Sequence, residues 1–420
     1  MSGTPRLARR LGTTDATVIG LGSMIGAGVF AAFAPAAAAA GPALLVGLGV
    51  AAVVAYCNAT ASAQLAAQYP TSGGTYVYGR ERLGDWWGFL AGWGFVVGKT
   101  ASCAAMALTF AAYVVPGPWQ RVAAAAAVVL LAAVNYRGVT RTAALTRVIV
   151  TVVLLVLAVV VTACVTGEAR RPVEIGLSGT GWYGVLQSAG LLFFAFAGYA
   201  RIATMGEEVK DPARTIPRAI LLALGITVAV YAAVGIALLS SLGAEATAGS
   251  AAPLADAVDA AGWDWAVGVV RLGAAFAALG ALLALIAGVG RTTLAMARER
   301  DLPTWLAAVH PRFHVPHHAE VALAVVVGTA VLLVDLRDAI GFSSFGVLLY
   351  YLVANLAAFT QEPAQRRFPR WLQVLGAVGC AGLVATLPVT SVVAGVGVYA
   401  VGTGYRVIRL RLTGRSPADS

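Results

Sequence analysis

The sequence predicts an all-α polytopic membrane protein with about 12 transmembrane helices. Three observations carry this. Apolar residues make up 59% of the 420 and charged residues 11%, against roughly a quarter charged in ordinary soluble domains. The apolar residues run in continuous stretches of about twenty, enough to cross a bilayer as a helix, without the alternation of a barrel strand. The basic residues gather in alternate gaps between those stretches. A net charge of +10 would point to nucleic acid in a soluble domain. Here the charges are too dilute to coat a soluble surface, so nucleic acid is not an expected partner and membrane lipids are.

Twelve spans are expected, near 15–40, 44–67, 84–112, 121–136, 144–166, 182–205, 217–241, 263–290, 319–335, 339–360, 370–387 and 389–408. Trp86, Trp87, Trp119, Trp182, Trp263 and Trp371 fall near span ends, where interfacial aromatics collect. The four cysteines (Cys57, Cys103, Cys164 and Cys380) lie in apolar stretches without short spacing, which implies neither a disulfide framework nor a zinc site. Arg6, Arg9 and Arg10 precede an apolar segment too long for a signal-peptide core.

Orientation follows from the basic residues. With the N-terminus cytoplasmic, 22 of the 29 Lys and Arg fall in inside segments, and Arg121, Arg170, Arg171 and Arg337 fall outside. Both termini are therefore expected in the cytoplasm. The outside segment 242–264 is acidic, with Glu245, Asp256, Asp259 and Asp264, and is read as a solvated loop.

The first span holds Gly20, Gly22, Gly26 and Gly28 within nine residues. Each glycine weakens a helix interior by about 1 kcal/mol relative to alanine, and a broken backbone at membrane depth must line a cavity or be buried in protein. A break there would expose N–H groups that attract an anion such as a carboxylate. The competing reading is helix contact through the Gly22–Gly26 pair. The sixth span carries one glycine among aromatics, in Phe193-Phe194-Ala195-Phe196-Ala197-Gly198-Tyr199. Interruptions in corresponding spans of two halves point to a transporter site between inverted repeats.

These segments resemble the amino acid–polyamine–organocation superfamily, in its amino acid permease branch. Gly22-Ser23-Met24-Ile25-Gly26-Ala27-Gly28-Val29-Phe30 is similar to the first-helix signature, and Pro70-Thr71-Ser72-Gly73-Gly74-Thr75-Tyr76 to the block after helix two. Glu207-Glu208-Val209-Lys210-Asp211-Pro212 and Ile216-Pro217-Arg218 resemble the loop after helix six. Gly290-Arg291, Ala295-Met296-Ala297-Arg298, Leu302-Pro303 and His310-Pro311-Arg312-Phe313 resemble the loop after helix eight.

The resemblance implies a LeuT-like core of five-plus-five inverted repeats with broken helices 1 and 6. It places a cytoplasmic N-terminus at 1–12, the core at 13–360 (repeats about 13–166 and 182–360), and two accessory helices with a basic cytoplasmic tail at 361–420. It also implies an amino acid between helices 1 and 6. Its carboxylate would meet N–H groups of Gly26, Ala27 and Gly28, and its ammonium the carbonyls of Met24, Phe194 and Ala197. Phe194, Phe196 and Tyr199 would form walls or gates. Relatives often carry serine where this chain has Ala27, so one hydroxyl donor is missing.

Lys99 lies 14 residues after Asp85, about 21 Å along a helix and so near the midplane. A central lysine costs about 2.5–3.5 kcal/mol on insertion scales and is a functional candidate by default. Relatives often place a lysine in helix five near a sodium position; this chain has Val153 there. Lys99 is expected to supply that cation from helix three or to carry a coupling proton, against a structural role on a backbone carbonyl. Midspan carboxylates are absent from the sequence reading, since Asp15, Glu320 and Asp338 fall near span ends. Arg201 is expected to bind substrate or to brace an inner gate with Glu207 or Glu208, and Arg271 to meet Asp264. All four histidines cluster at 310–318 among prolines, a connector rather than a metal site.

The expected function is secondary transport of an amino acid, leaning to a neutral one, coupled to protons or by exchange. The alternatives are an amine or polyamine carrier, disfavoured by the lack of a midspan acid, and a non-transporting sensor of the same fold. No cofactor or metal is called for, and no enzyme is expected, because no nucleophile–base or metal constellation stands at membrane depth.

Overall fold

The structure is a computed structural model that describes residues 11–71, 73–138, 143–168, 171–173, 176 and 181–412. Ser72 of the second motif and Arg6, Arg9, Arg10, Arg141, Arg170 and Arg415 of the charge pattern lie outside these residues. The described residues form helices throughout: α1 (Thr13–Met24), α2 (Ala27–Ala31), α3 (Phe33–Ala40), α4 (Leu44–Gln68), α5 (Thr75–Leu83), α6 (Asp85–Val114), α7 (Gln120–Tyr136), α8 (Ala143–Thr166) and α9 (Gly181–Phe196). Then follow α10 (Ala200–Ala203), α11 (Pro212–Ser241), α12 (Gly243–Gly249), α13 (Pro253–Ala260), α14 (Asp264–Arg298), α15 (His317–Leu333), α16 (Leu336–Phe359), α17 (Arg370–Thr386) and α18 (Val389–Leu412). Ten helical stretches are long and apolar enough to span a membrane, and α15 and α17 are shorter apolar helices. The twelve expected spans are thus all helical, and the chain is a polytopic membrane protein.

Helix starts follow local chemistry. The α11 helix opens on Pro212, whose fixed φ suits a first turn, after Asp211 at φ 45°, a left-handed conformation that Asp tolerates. The Asp335 side chain caps α16 by accepting from the Asp338 N–H at 2.8 Å. The α6 helix packs most extensively against α14 and α16. Large apolar side chains on α7, α8, α15 and α18, such as Leu130, Leu155, Leu333 and Val393, are exposed, as expected where lipid rather than water is the solvent.

The acidic segment 242–264 departs from the solvated loop expected of it. It folds into α12 and α13, and α13 buries Leu254, Ala257 and Val258. The Leu254 N–H donates to the Tyr113 hydroxyl at 3.4 Å, and that hydroxyl donates to the Phe30 carbonyl at 3.2 Å. Its small apolar residues recur on one face of a short helix, and burying that face outweighs leaving the acids' neighbours in water. Glu245, Asp259 and Asp264 remain exposed. Arg271 donates to the Tyr113 carbonyl at 3.2 Å instead of meeting Asp264.

At the opposite end, Asp301 joins two elements. It pairs with Arg406 of α18, and the Tyr76 hydroxyl of α5 donates to it at 2.7 Å. Arg80 donates to the Tyr76 oxygen at 2.8 Å and pairs with Asp85 at 3.1 Å. The Arg406 guanidinium lies 4.9 Å from the Trp86 ring centre and 4.8 Å from that of Phe89, within cation–π range. Burial and the Asp301 charge push the Tyr76 hydroxyl up, so it stays a donor. Removing one partner of a buried ion pair strands the other charge, at about 3–5 kcal/mol. Asp301→Asn is therefore expected to lower the melting temperature in detergent by far more than Glu299→Gln, whose carboxylate is exposed and 3.8 Å from Arg80.

Candidate substrate site at the two helix interruptions

The first span breaks where the glycines stand. The α1 helix ends at Met24, Gly26 takes φ −61° and ψ −134°, and α2 restarts at Ala27. That ψ is outside the helical range. The first N–H groups of α2 therefore have no partner one turn earlier in a helix. Ser23 returns its hydroxyl to the Ile19 carbonyl at 2.9 Å, a back-bond that often bends a helix.

The sixth span is interrupted more gently. The α9 helix ends at Phe196, Ala197–Tyr199 tighten into a 3-10 turn, and α10 follows at once. One glycine among aromatics is a weaker breaking signal than four glycines, and the backbone tightens here without unwinding.

The two interruptions are in direct contact. A Cβ on Gly198 would lie 2.2 Å from the Ser23 carbonyl oxygen, and one on Gly28 would lie 2.8 Å from the Ala195 Cα. Both glycines are thus needed for close backbone approach.

The freed carbonyls find side-chain donors. The Tyr231 hydroxyl of α11 lies 2.6 Å from the Met24 oxygen and 3.1 Å from the Ala195 oxygen, so one proton bridges both interrupted helices. The Ala197 carbonyl accepts from Lys99 Nζ at 3.4 Å and from the Tyr351 hydroxyl of α16 at 3.3 Å. Lys99 is 8% exposed, and among the described residues no carboxylate pairs with it within 4.0 Å. On the next turn of α6, Ser102 and Ser343 share a hydrogen bond of 2.7 Å.

Aromatic rings pack the site's edges. Phe196 lies 5.0 Å from Tyr231, and Tyr199 5.0 Å from Tyr351, between ring centres. Phe194, Phe196 and Tyr199 are buried. Arg201 is half-buried on α10, just past the 3-10 turn. The structure therefore brings Met24, Gly26, Ala27, Gly28, Phe194, Phe196, Ala197, Tyr199 and Lys99 to the two interruptions. Tyr231 and Tyr351 were missed. Each is a tyrosine hydroxyl inside an apolar span, and in lipid such a group must find a partner; that was the available signal. The His310 ring serves its connector, with Nδ1 accepting from the Arg312 and Phe313 N–H groups at 3.2 Å each.

A many-helix membrane bundle with two facing helix interruptions and no midspan acid defines a carrier-type membrane protein. The sequence profile described as "Amino acid permease" matches residues 11–409, and the chain belongs to that family: it is a transporter. It is 61% identical to an uncharacterized transporter of Mycobacterium tuberculosis, over 98% of this chain and 93% of the relative. A branched-chain amino acid permease of Bacillus subtilis is 26% identical, over 91% of this chain and 87% of the relative. Cationic amino acid transporter 4 of Homo sapiens is 30% identical, over 82% of this chain and 58% of the relative.

Gly198→Ala is expected to abolish uptake in proteoliposomes, because its new methyl would overlap backbone atoms of Ser23 and Met24. Gly225→Ala, with nothing within 4 Å of the added carbon, should retain it. Tyr231→Phe should lower stability by about 1–3 kcal/mol, the cost of leaving a buried acceptor unmade, read as a lower melting temperature.

Proposed function

We propose that the chain carries a neutral amino acid across the cell membrane by alternating access, coupled to protons or by exchange. The observation that carries this reading is the pair of facing helix interruptions in the first and sixth spans, at which the Lys99 amine stands. A buried amine without a paired carboxylate among the described residues disfavours a cationic substrate side chain beside it. One relative is named for branched-chain amino acids and another for cationic ones; Lys99 favours the first chemistry.

In this reading the substrate carboxylate meets the N–H groups of Gly26, Ala27 and Gly28, and its ammonium meets carbonyls of Met24, Phe194 and Ala197. Tyr231 and Lys99 already donate to two of those carbonyls, so they act as the movable partners that yield to the ammonium. Lys99 is the coupling or substituting cation: its charge state sets how strongly the Ala197 carbonyl is held. Phe196, Tyr199 and Arg201 form the gate. Residues 13–166 and 182–360 are the two inverted repeats, 361–420 the accessory helices and tail, and both termini face the cytoplasm.

Two measurements test this on purified protein. A thermal-shift screen of the twenty amino acids should raise the melting temperature most for neutral ones, since a ligand that binds only the folded state stabilises it. Uptake by Lys99→Ala should lose the pH dependence of the unsubstituted protein. Unchanged uptake with unchanged pH dependence would remove Lys99 from the mechanism, and a preference for arginine or lysine would overturn the neutral assignment.

A further inference from the structure

A cleft of about 780 Å³ runs between α7 and α15, away from the two interruptions. On α15 it is lined by Glu320, Ala324, Gly328 and Leu332, one helical face at four-residue spacing. Those twelve residues of rise extend about 18 Å, close to the thickness of one leaflet. Val129 and Ala133 line it from α7, and Tyr136 and Arg137 close it at the end nearest Glu320. The floor is made of small residues, and a carbon added to Gly328 would meet nothing within 4 Å.

The polar end is unusual for an apolar cleft. Glu320 is 3% exposed, and its Oε2 has no hydrogen-bond partner among the described residues. Its Cγ packs toward Gly290 of α14. A buried carboxylate oxygen without a donor is costly. Arg137 stands exposed just past the end of α7. Its neighbour Tyr136 packs on the His317 ring at 6.1 Å, and both Arg137 and Glu320 line the cleft.

A buried acceptor lining the cleft, an exposed cation lining it as well and an apolar groove of leaflet depth are complementary to a lipid that carries an ammonium next to a phosphate. We propose that this cleft binds phosphatidylethanolamine. The lipid ammonium donates to Glu320 Oε2, the phosphate pairs with Arg137, and one acyl chain lies along Ala324, Gly328 and Leu332. A primary ammonium has N–H groups for the carboxylate; a choline headgroup has none, and a glycerol headgroup lacks the positive charge.

The test is native mass spectrometry of the full chain, released from detergent with equimolar phosphatidylethanolamine, phosphatidylcholine and phosphatidylglycerol of the same acyl composition. The ethanolamine lipid should be retained about tenfold over the other two, the ratio expected for one charge-assisted hydrogen bond. Glu320→Gln should remove that preference, and Gly328→Leu, which fills the groove without touching the headgroup end, should lower retention of all three. Equal retention by the unsubstituted protein, or an undiminished preference in Glu320→Gln, would overturn the proposal. If Glu320→Gln does not fold, retention unaffected by Gly328→Leu would overturn it instead.

Discussion

A helix interrupted at membrane depth leaves amides and carbonyls that hydrocarbon cannot satisfy, and much of this structure is arranged around that need. Tyr231 answers the Met24 and Ala195 carbonyls with one hydroxyl. Lys99 and Tyr351 converge on the Ala197 carbonyl. These donors come from α6, α11 and α16, so three intact helices hold two broken ones. Gly28 and Gly198 permit the backbone approach that lets single side chains reach both sides. In the proposed transport cycle the same donors are what a substrate ammonium must displace, so satisfying the breaks and binding substrate become one event.

The two ends of the bundle are held differently, and this too follows from solvent. On one end α13 folds over Tyr113, and Tyr113 over Phe30, whose rings meet edge-on at 5.6 Å. On the other, Asp301 ties α5 and α18 through Tyr76, Arg80 and Arg406. The first end is closed by apolar burial and single hydrogen bonds, the second by a buried ion pair with aromatic flanks. The α6 helix, which runs from the Asp301 cluster at Trp86 and Phe89 to Lys99, connects it with the interruptions.

Span positions were legible because length and hydropathy alone decide whether a segment can lie in a bilayer; α4, α7, α16 and α17 lie within a few residues of their expected limits. The break in the first span was legible because glycine weakens a helix locally. The interruption in the sixth span was legible only through its place in the order of spans, and its tight 3-10 turn was not. The folding of 242–264 was hidden because its acids dominate the composition while the buried face belongs to a handful of small residues. Tyr231 and Tyr351 were hidden because their partners lie 207 and 154 residues away in sequence.

By itself the sequence determined the membrane class, the twelve apolar segments, the glycine-weakened first helix and a lysine at midspan. These are local properties, fixed by residue chemistry within a few turns. Only the tertiary structure decided what Lys99 bonds, that one tyrosine bridges both broken helices, and that Glu320 closes a cleft instead of merely ending a span. Each of these depends on which helices become neighbours, and in a bilayer that is set by packing and by the need to pair every buried polar group, neither of which is written in any single segment.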